Sequence, residues 1–188
     1  PIPTPPMTSI PDFLAARGAH AGTDGIADFG NPSAEWAAAA TGAVVADASS
    51  TGVLVAAGAD AAAFLHGQLS SDVKRLGRGA GAWTSYSSPK GRMLATAFLY
   101  RPDVGPDDRF EVLVAADLAE AVRKRLAMFV LRSKVTLADD TAAWFRLGVG
   151  GPGAAGVVAQ ALGGTPPSGG VVTRDGARIA RLPDGRFL

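Results

Sequence analysis

From residue 43 onward, apolar and polar positions follow regular periods that the first 42 residues lack. Val44 and Val45, then 53–55, read as strand material broken by the turn Ser49-Ser50-Thr51-Gly52. Gly58-Ala59-Asp60 opens a helix with Phe64, Leu65 and Leu69 on one side. The stretch 83–86 running through 92–100, and then 109–115, read as the next two strands, with the long loop 102–107 between them. Asp117 is placed to cap the most regular helix. Its apolar stripe is Leu118, Val122, Leu126, Phe129 and Val130, with Arg123, Lys124 and Arg125 mostly off it. Further strands follow at 135–137 and 144–149. The order strand, helix, strand, strand, helix, strand over roughly 50–148 predicts the split βαβ arrangement of a ferredoxin-like unit.

The flanks are less regular. In 1–48 two short helices are expected. Pro11 opens the first, which carries Phe13 and Leu14 and stops at Gly18. The second has Asn31 as N-cap, Pro32 at the first helical position and Gly42 past its end. The glycine-rich stretch 18–31 between them reads as a loop. After Gly150 come a short helix (157–162), a loop (163–170) and a strand–turn–strand reaching Leu188. No internal repeat is visible.

Composition narrows the chemistry. The 24 glycines and 13 prolines among 188 residues predict many short elements. A net charge of +1 gives no general pull toward nucleic acid or an anionic membrane. With no cysteine and only His20 and His66, thiol nucleophiles, disulfides, cysteine-ligated clusters and the usual zinc sites are excluded for this chain. The longest uncharged apolar stretch, 36–46, is about half of what a bilayer span needs. Residues 1–8 lack the basic and apolar regions of a signal peptide, so a cytoplasmic location is expected. The excess of 14 Arg over 4 Lys suits a GC-rich bacterial genome.

Gly151-Pro152-Gly153-Ala154-Ala155-Gly156 matches G-x-G-x-x-G, with Asp175 further on. The following helix is too short for a crossover and too little chain remains for a Rossmann sheet, so a strand-to-helix turn is the better reading. Asp107-Asp108 and Asp139-Asp140 sit in turn contexts that use Asp to satisfy local amides. His66 lies within a helix with nothing to position it as a base. Arg123, Lys124, Arg125, Arg132 and Lys134 read as a solvated basic face, with contact to RNA or an acidic partner as the alternative. In Ser87-Ser88-Pro89-Lys90-Gly91-Arg92-Met93-Leu94, two cations and a glycine stand at a turn. Two residues apart on a strand, Lys90 and Arg92 would share a side and suit an anionic group; a solvent-facing hairpin tip is the competing reading.

Several segments together resemble one family. Gly58-Ala59-Asp60-Ala61 through Phe64-Leu65-His66-Gly67-Gln68-Leu69-Ser70-Ser71-Asp72-Val73 is similar to the G-x-D-A…F-L-x-G-Q-x-T-x-D-V segment of YgfZ-type folate-binding proteins. Pro89-Lys90-Gly91-Arg92 and its strand ending Tyr100-Arg101, Leu131-Arg132-Ser133-Lys134-Val135, and Val149-Gly150-Gly151-Pro152 resemble three further motifs of that family in order. The last is shared with the glycine cleavage T-protein and accounts for the dinucleotide-like match.

The resemblance implies an α+β fold: a ferredoxin-like split βαβ domain (49–148) inserted into a discontinuous α+β domain formed by 1–48 and 149–188. The second part would be incomplete and the C-terminal barrel domain absent from this chain. It implies tetrahydrofolate binding in a central cavity, in support of Fe–S protein assembly or repair and of tRNA modification, with no direct nucleic-acid contact. Lys90 and Arg92 are the expected partners of the folate carboxylates, Tyr86 of a flat ring and Gln68 of a pterin edge; Trp83 is expected in the core. The T-protein's catalytic Asp falls at Ala95 or Thr96, which argues against the alternative, a folate-dependent aminomethyltransferase. The K-G-C-Y-x-G-Q-E-like signature of the family would lie beyond Leu188. Uncovered apolar surface is expected to make this length of chain dimerise.

Overall fold

The computed structural model describes residues 10–23, 25–106 and 108–188. The signal-peptide reading of 1–8 and the Asp107 half of the Asp107-Asp108 pair therefore fall outside the described residues. In chain order the elements are α1 (Ile10–Ala15), β1 (His20–Gly22), β2 (Gly25–Asp28), α2 (Pro32–Thr41), β3 (Val44–Asp47), β4 (Thr51–Ala57) and α3 (Ala61–Gln68). They continue with β5 (Ala80–Ser87), β6 (Met93–Arg101), β7 (Arg109–Ala115), α4 (Ala116–Ala127), β8 (Thr136–Asp139), β9 (Leu147–Gly150), α5 (Ala154–Leu162), β10 (Val171–Arg174) and β11 (Ala177–Ala180).

The centre is a five-stranded antiparallel sheet in the order β5-β6-β7-β4-β8. The predicted pattern had four strands. The turn at Ser88–Arg92 divides one predicted extended stretch into the hairpin β5–β6, which adds an edge strand. Both α3 and α4 cover one side. Ala61, Phe64 and Leu65 from α3 and Ala119, Val122 and Leu126 from α4 pack on Leu54, Ala56, Ala97, Leu99, Phe110 and Val112. The alternation of strand side chains leaves the other side to Val53, Phe98, Tyr100 and Leu113, which meet Val171, Ala180 and Leu182 of the C-terminal segment.

Several local expectations change. The stretch 18–31 is not all loop: β1 and β2 pair as a small antiparallel hairpin, an element too short and too polar to show a period. Asp117 is not a cap. It stands in the first turn of α4 behind Ala115, and its carboxylate suits the positive helix end without bonding it. Leu118 is 36% exposed while Ala119 is buried, so the inward stripe lies one residue later than the larger side chain suggested. Thr51 and Gly52 belong to β4, and α5 begins at Ala154. Asn31 does cap α2, its Oδ1 accepting from Ala34 N–H at 3.1 Å.

The segment before the sheet and the one after it meet. β3 pairs with β9 from Val44↔Gly150 to Asp47↔Leu147, and Gly153 N–H donates to the Gly42 carbonyl at 2.7 Å. Gly151 holds φ +97°, and a Cβ there would come 2.5 Å from the Gly42 oxygen. Gly151 and Gly153 of the G-x-G-x-x-G match thus serve a close backbone crossing rather than a phosphate.

Candidate ligand-binding hollows on the open side of the sheet

On the side of the sheet away from the helices, cross-strand neighbours form two rows. Trp83, Phe98, Leu113 and Val53 make one, and Tyr100, Glu111 and Val55 make the next. Trp83 and Phe98 meet edge to face with centroids 5.5 Å apart, and Phe98 and Tyr100 follow at 6.3 Å. Such contacts hold the aromatic floor in one arrangement. Against sequence expectation Trp83 is not core: it is 48% exposed, because β5 is the edge strand and nothing described covers its indole.

Two hollows open onto this floor and share Leu113, Val149, Phe187 and Leu188 as a wall. The smaller, about 470 Å³, has Trp83, Thr96 and Phe98 on its floor and Asp47 and Arg186 at its sides. The larger, about 610 Å³, is walled mostly by apolar residues, with Tyr100, Trp144, Arg146, Asp175 and Arg178 supplying its polar side chains. Both volumes lie in the range of small-molecule sites.

The polar groups are tightly held. Glu111 has no exposed surface; its carboxylate accepts from Tyr100 Oη and Arg178 Nη1, and from Arg109 Nε at 2.9 Å. Arg109 also reaches Asp140 Oδ2 at 3.0 Å, and the Arg178 guanidinium lies 4.6 Å from the Trp144 ring centre. Burial by itself would raise the Glu111 pKa, but the Tyr100 hydroxyl and the two guanidiniums outweigh it and hold the carboxyl below its ordinary value. Burial, reinforced by the neighbouring Glu111 charge, pushes the Tyr100 phenol well above its ordinary value, so it remains a donor. Arg146 bonds the carbonyls of Thr141, Trp144 (2.7 Å) and Ser49 (3.3 Å). The Nε atoms of both Arg146 and Arg178 are buried without a hydrogen-bond partner.

The residues selected from sequence stand elsewhere. Gln68 ends α3, half-buried, next to Leu69, whose backbone bridges to Tyr86. Tyr86 is 4% exposed within the core beneath the helices. Lys90 and Arg92 are exposed, but the turn places them outside β5 and β6, so strand alternation does not put them on a shared side. Ser88 N–H donates to the Arg92 carbonyl at 2.8 Å and closes that turn. None of the four lines either hollow. Of the two positions matched to the T-protein carboxylate, Ala95 is packed toward the helices and Thr96 faces the smaller hollow.

Outside the hollows, His66 Nδ1 stands 3.3 Å from Asp72 Oδ1 with both side chains well exposed. Asp139 accepts from Thr141 N–H at 2.9 Å, as a turn residue should, whereas Asp140 joins the buried network. The network went unread in sequence, although one signal for it exists: Arg109 and Glu111, two apart in an otherwise apolar strand, put opposite charges on one side. Among the described residues no three His, Asp or Glu side chains gather as a metal site, and no helix is long and apolar enough to cross a membrane.

Flat ligands with acceptor groups suit these walls. The exposed indole offers a stacking surface, the apolar sides exclude water, and the Arg146 and Arg178 side chains stand on the wall of the larger hollow.

Residues 27–166 match the family described as the GCVT N-terminal domain. Over 92 residues the chain is 38% identical to an uncharacterized protein of Haemophilus influenzae, covering 49% of this chain and 31% of that one. Over 83 residues it is 30% identical to an iron-sulfur cluster assembly factor IBA57 homolog, mitochondrial, of Neurospora crassa, covering 43% of this chain and 19% of the relative. The crystal structure of glycine cleavage system aminomethyltransferase T from Bartonella henselae superposes with a TM-score of 0.76 at 20% identity, over 91% of this chain and 48% of that one. The likeness to it is one of fold. In each case the match spans less than half of the relative.

Proposed function

Since the chain belongs to the GCVT N-terminal domain family, we propose that it is the folate-binding portion of a YgfZ-type protein supporting Fe–S protein assembly or repair, with tRNA-modifying enzymes among the clients. The observation that carries the reading is Thr96. It offers a hydroxyl on the floor of the smaller hollow and is, of the two positions matched to the T-protein carboxylate, the one that faces it. A neutral hydroxyl cannot act as the carboxylate that steers chemistry at a folate nitrogen. The side-chain carboxylate that does line this hollow, Asp47, is taken up by the Ser49 amide and hydroxyl, each at 2.9 Å, so the reading is binding without aminomethyl transfer. The Neurospora relative, named for iron–sulfur cluster assembly, agrees in direction.

In this reading 49–148 is a ferredoxin-like unit inserted into a discontinuous domain of 1–48 and 149–188, and the β3–β9 pairing that closes the insertion supports it. Trp83 would stack on the pterin, and Arg146 and Arg178 would donate to acceptors in the adjoining hollow. Lys90 and Arg92 would meet the carboxylate tail; Arg92 is four residues from Thr96, roughly 13 Å along an extended chain. Gln68 and Tyr86 would support that turn through the Leu69 bridge.

Anaerobic titration calorimetry with tetrahydrofolate tests the proposal. Saturable heat that weakens about tenfold in Trp83→Ala is expected. Absence of both heat and thermal shift at millimolar ligand would reject folate binding. Formation of methylene-tetrahydrofolate from an aminomethyl donor would move the chain to the enzyme reading; none is expected.

A further inference from the structure

The end of α4 and the turn after it form a surface on the helix side of the sheet, unrelated to the hollows. Met128 is 62% exposed, Phe129 40% and Leu131 87%. Leu131 also holds φ +45°, a conformation in which a side chain as large as leucine is strained. Most other positive-φ positions of the described fold are glycine. Leucine here gains nothing from burial and costs backbone strain, so packing within this chain does not explain it.

The turn is held firmly. Ser133 N–H donates to the Val130 carbonyl at 2.8 Å, and Lys134 N–H donates to Asp60 Oδ2 at 2.7 Å. Phe129, Leu131, Arg132, Ser133 and Asp60 line a shallow groove. Around it, 121–138 contains five cations (Arg123, Lys124, Arg125, Arg132, Lys134) and no acidic residue. Lys124 pairs with Glu120 at 2.7 Å, Asp139 lies near Arg123, and Arg125 turns toward the Tyr86 phenol. Arg132 and Lys134 are exposed, and no carboxylate pairs with either side chain among the described residues.

We propose that this groove docks an acidic segment of a partner protein that carries apolar side chains, Leu131 and Phe129 taking the apolar groups and Arg132 and Lys134 the carboxylates. The charge pattern selects the class of partner. RNA is disfavoured because only one exposed aromatic ring is available for stacking, beside two aliphatic side chains. A flat bilayer cannot enter a groove, and the Asp60 carboxylate on its wall is engaged by the Lys134 amide.

A random-peptide display library selected on the 188-residue chain tests this. Enriched peptides should combine Asp or Glu with Leu, Phe or Trp. The best of them, measured by calorimetry, should bind about tenfold more weakly to Leu131→Gly and to Arg132→Glu, and more weakly in high salt. Leu131→Gly relieves the backbone strain, so its thermal midpoint should hold or rise, which separates lost docking from lost folding. Peptides without acidic enrichment, equal binding to Leu131→Gly, or binding only to oligouridine or to phosphatidylserine vesicles would overturn the proposal. So would concentration-dependent self-association abolished by Leu131→Gly, since the occupant would then be a second copy.

Discussion

Arg178 of β11 donates its guanidinium to the carboxylate of Glu111 on β7, a residue with no exposed surface. This contact spans 67 residues of chain and ties the C-terminal hairpin to the open side of the central sheet. Removing Glu111 leaves the largely buried Arg178 without its counter-charge, while Arg109 keeps only Asp140. Glu111→Leu should therefore cost about 3–5 kcal/mol in urea unfolding. The double variant Glu111→Leu/Arg178→Leu should recover part of that loss, and a double variant no better than the single would contradict the ion-pair account.

The same carboxylate makes stability depend on acid. Its folded pKa lies below the ordinary 4.5, so its contribution is complete above that value and is lost as pH falls below it through the folded pKa. Asp103 behaves alike: the Thr173 hydroxyl and amide outweigh its burial and lower its pKa. Stability measured from neutral pH down to about 3 should fall more steeply in the wild type than in Glu111→Gln. Parallel curves would remove Glu111 from the acid response.

Thr96 and Ala95 can be told apart by the same substitution. Thr96→Asp places a carboxylate in an open hollow and should change stability by less than about 1 kcal/mol. Ala95→Asp puts the charge in the core beneath α3 and α4 and should cost more than about 4 kcal/mol. Comparable losses would mean that the two side chains do not face opposite sides.

Within Gly151-Pro152-Gly153-Ala154-Ala155-Gly156 the glycines are not equivalent. Gly151→Ala meets the Gly42 carbonyl at a positive φ and should be strongly destabilising by thermal unfolding. Gly156 lies inside α5 with nothing within 4 Å of an added Cβ, so Gly156→Ala should stabilise by about 0.5–1 kcal/mol. A dinucleotide site would need that third glycine for close packing.

Asp103 fastens the loop after β6 to β10, accepting from Thr173 N–H at 3.0 Å and from Thr173 Oγ1 at 2.7 Å. Asp103→Ala should cost about 1–3 kcal/mol. It should also speed amide exchange in β10 and β11 more than in β4 or β7. Uniform acceleration would show that the hairpin is not a separately opening unit.

Much of the fold was legible because its signals are local. Asn31 and Pro32 mark the start of α2, and the stripe of Val122 and Leu126 marks α4. Leu118 misled because side-chain size alone cannot say which side of a helix meets a sheet; the smaller Ala119 fits the close approach of α4 to β4. The hairpin β1–β2 was invisible because short exposed strands need no apolar alternation.

The site was less legible. Lys90 and Arg92 were conspicuous as charges near glycine, yet the turn carries them outside both strands. Trp83 read as core because tryptophan is usually covered, and only its place on an edge strand left it open.

By itself the sequence determined most of the element order, the β1–β2 hairpin and the separate edge strand β5 apart. It likewise determined the exclusion of thiol and cysteine-ligated chemistry in this chain and the likeness to folate-binding proteins, since all of these rest on residue identity and short-range spacing. The tertiary structure decided that Thr96 rather than Ala95 faces a hollow and that Glu111 gathers Tyr100, Arg109 and Arg178. It also decided that Leu131 is displayed rather than buried. Each of these depends on which side of a strand or turn meets another segment, and that is set by long-range packing between residues that do not neighbour one another in the chain.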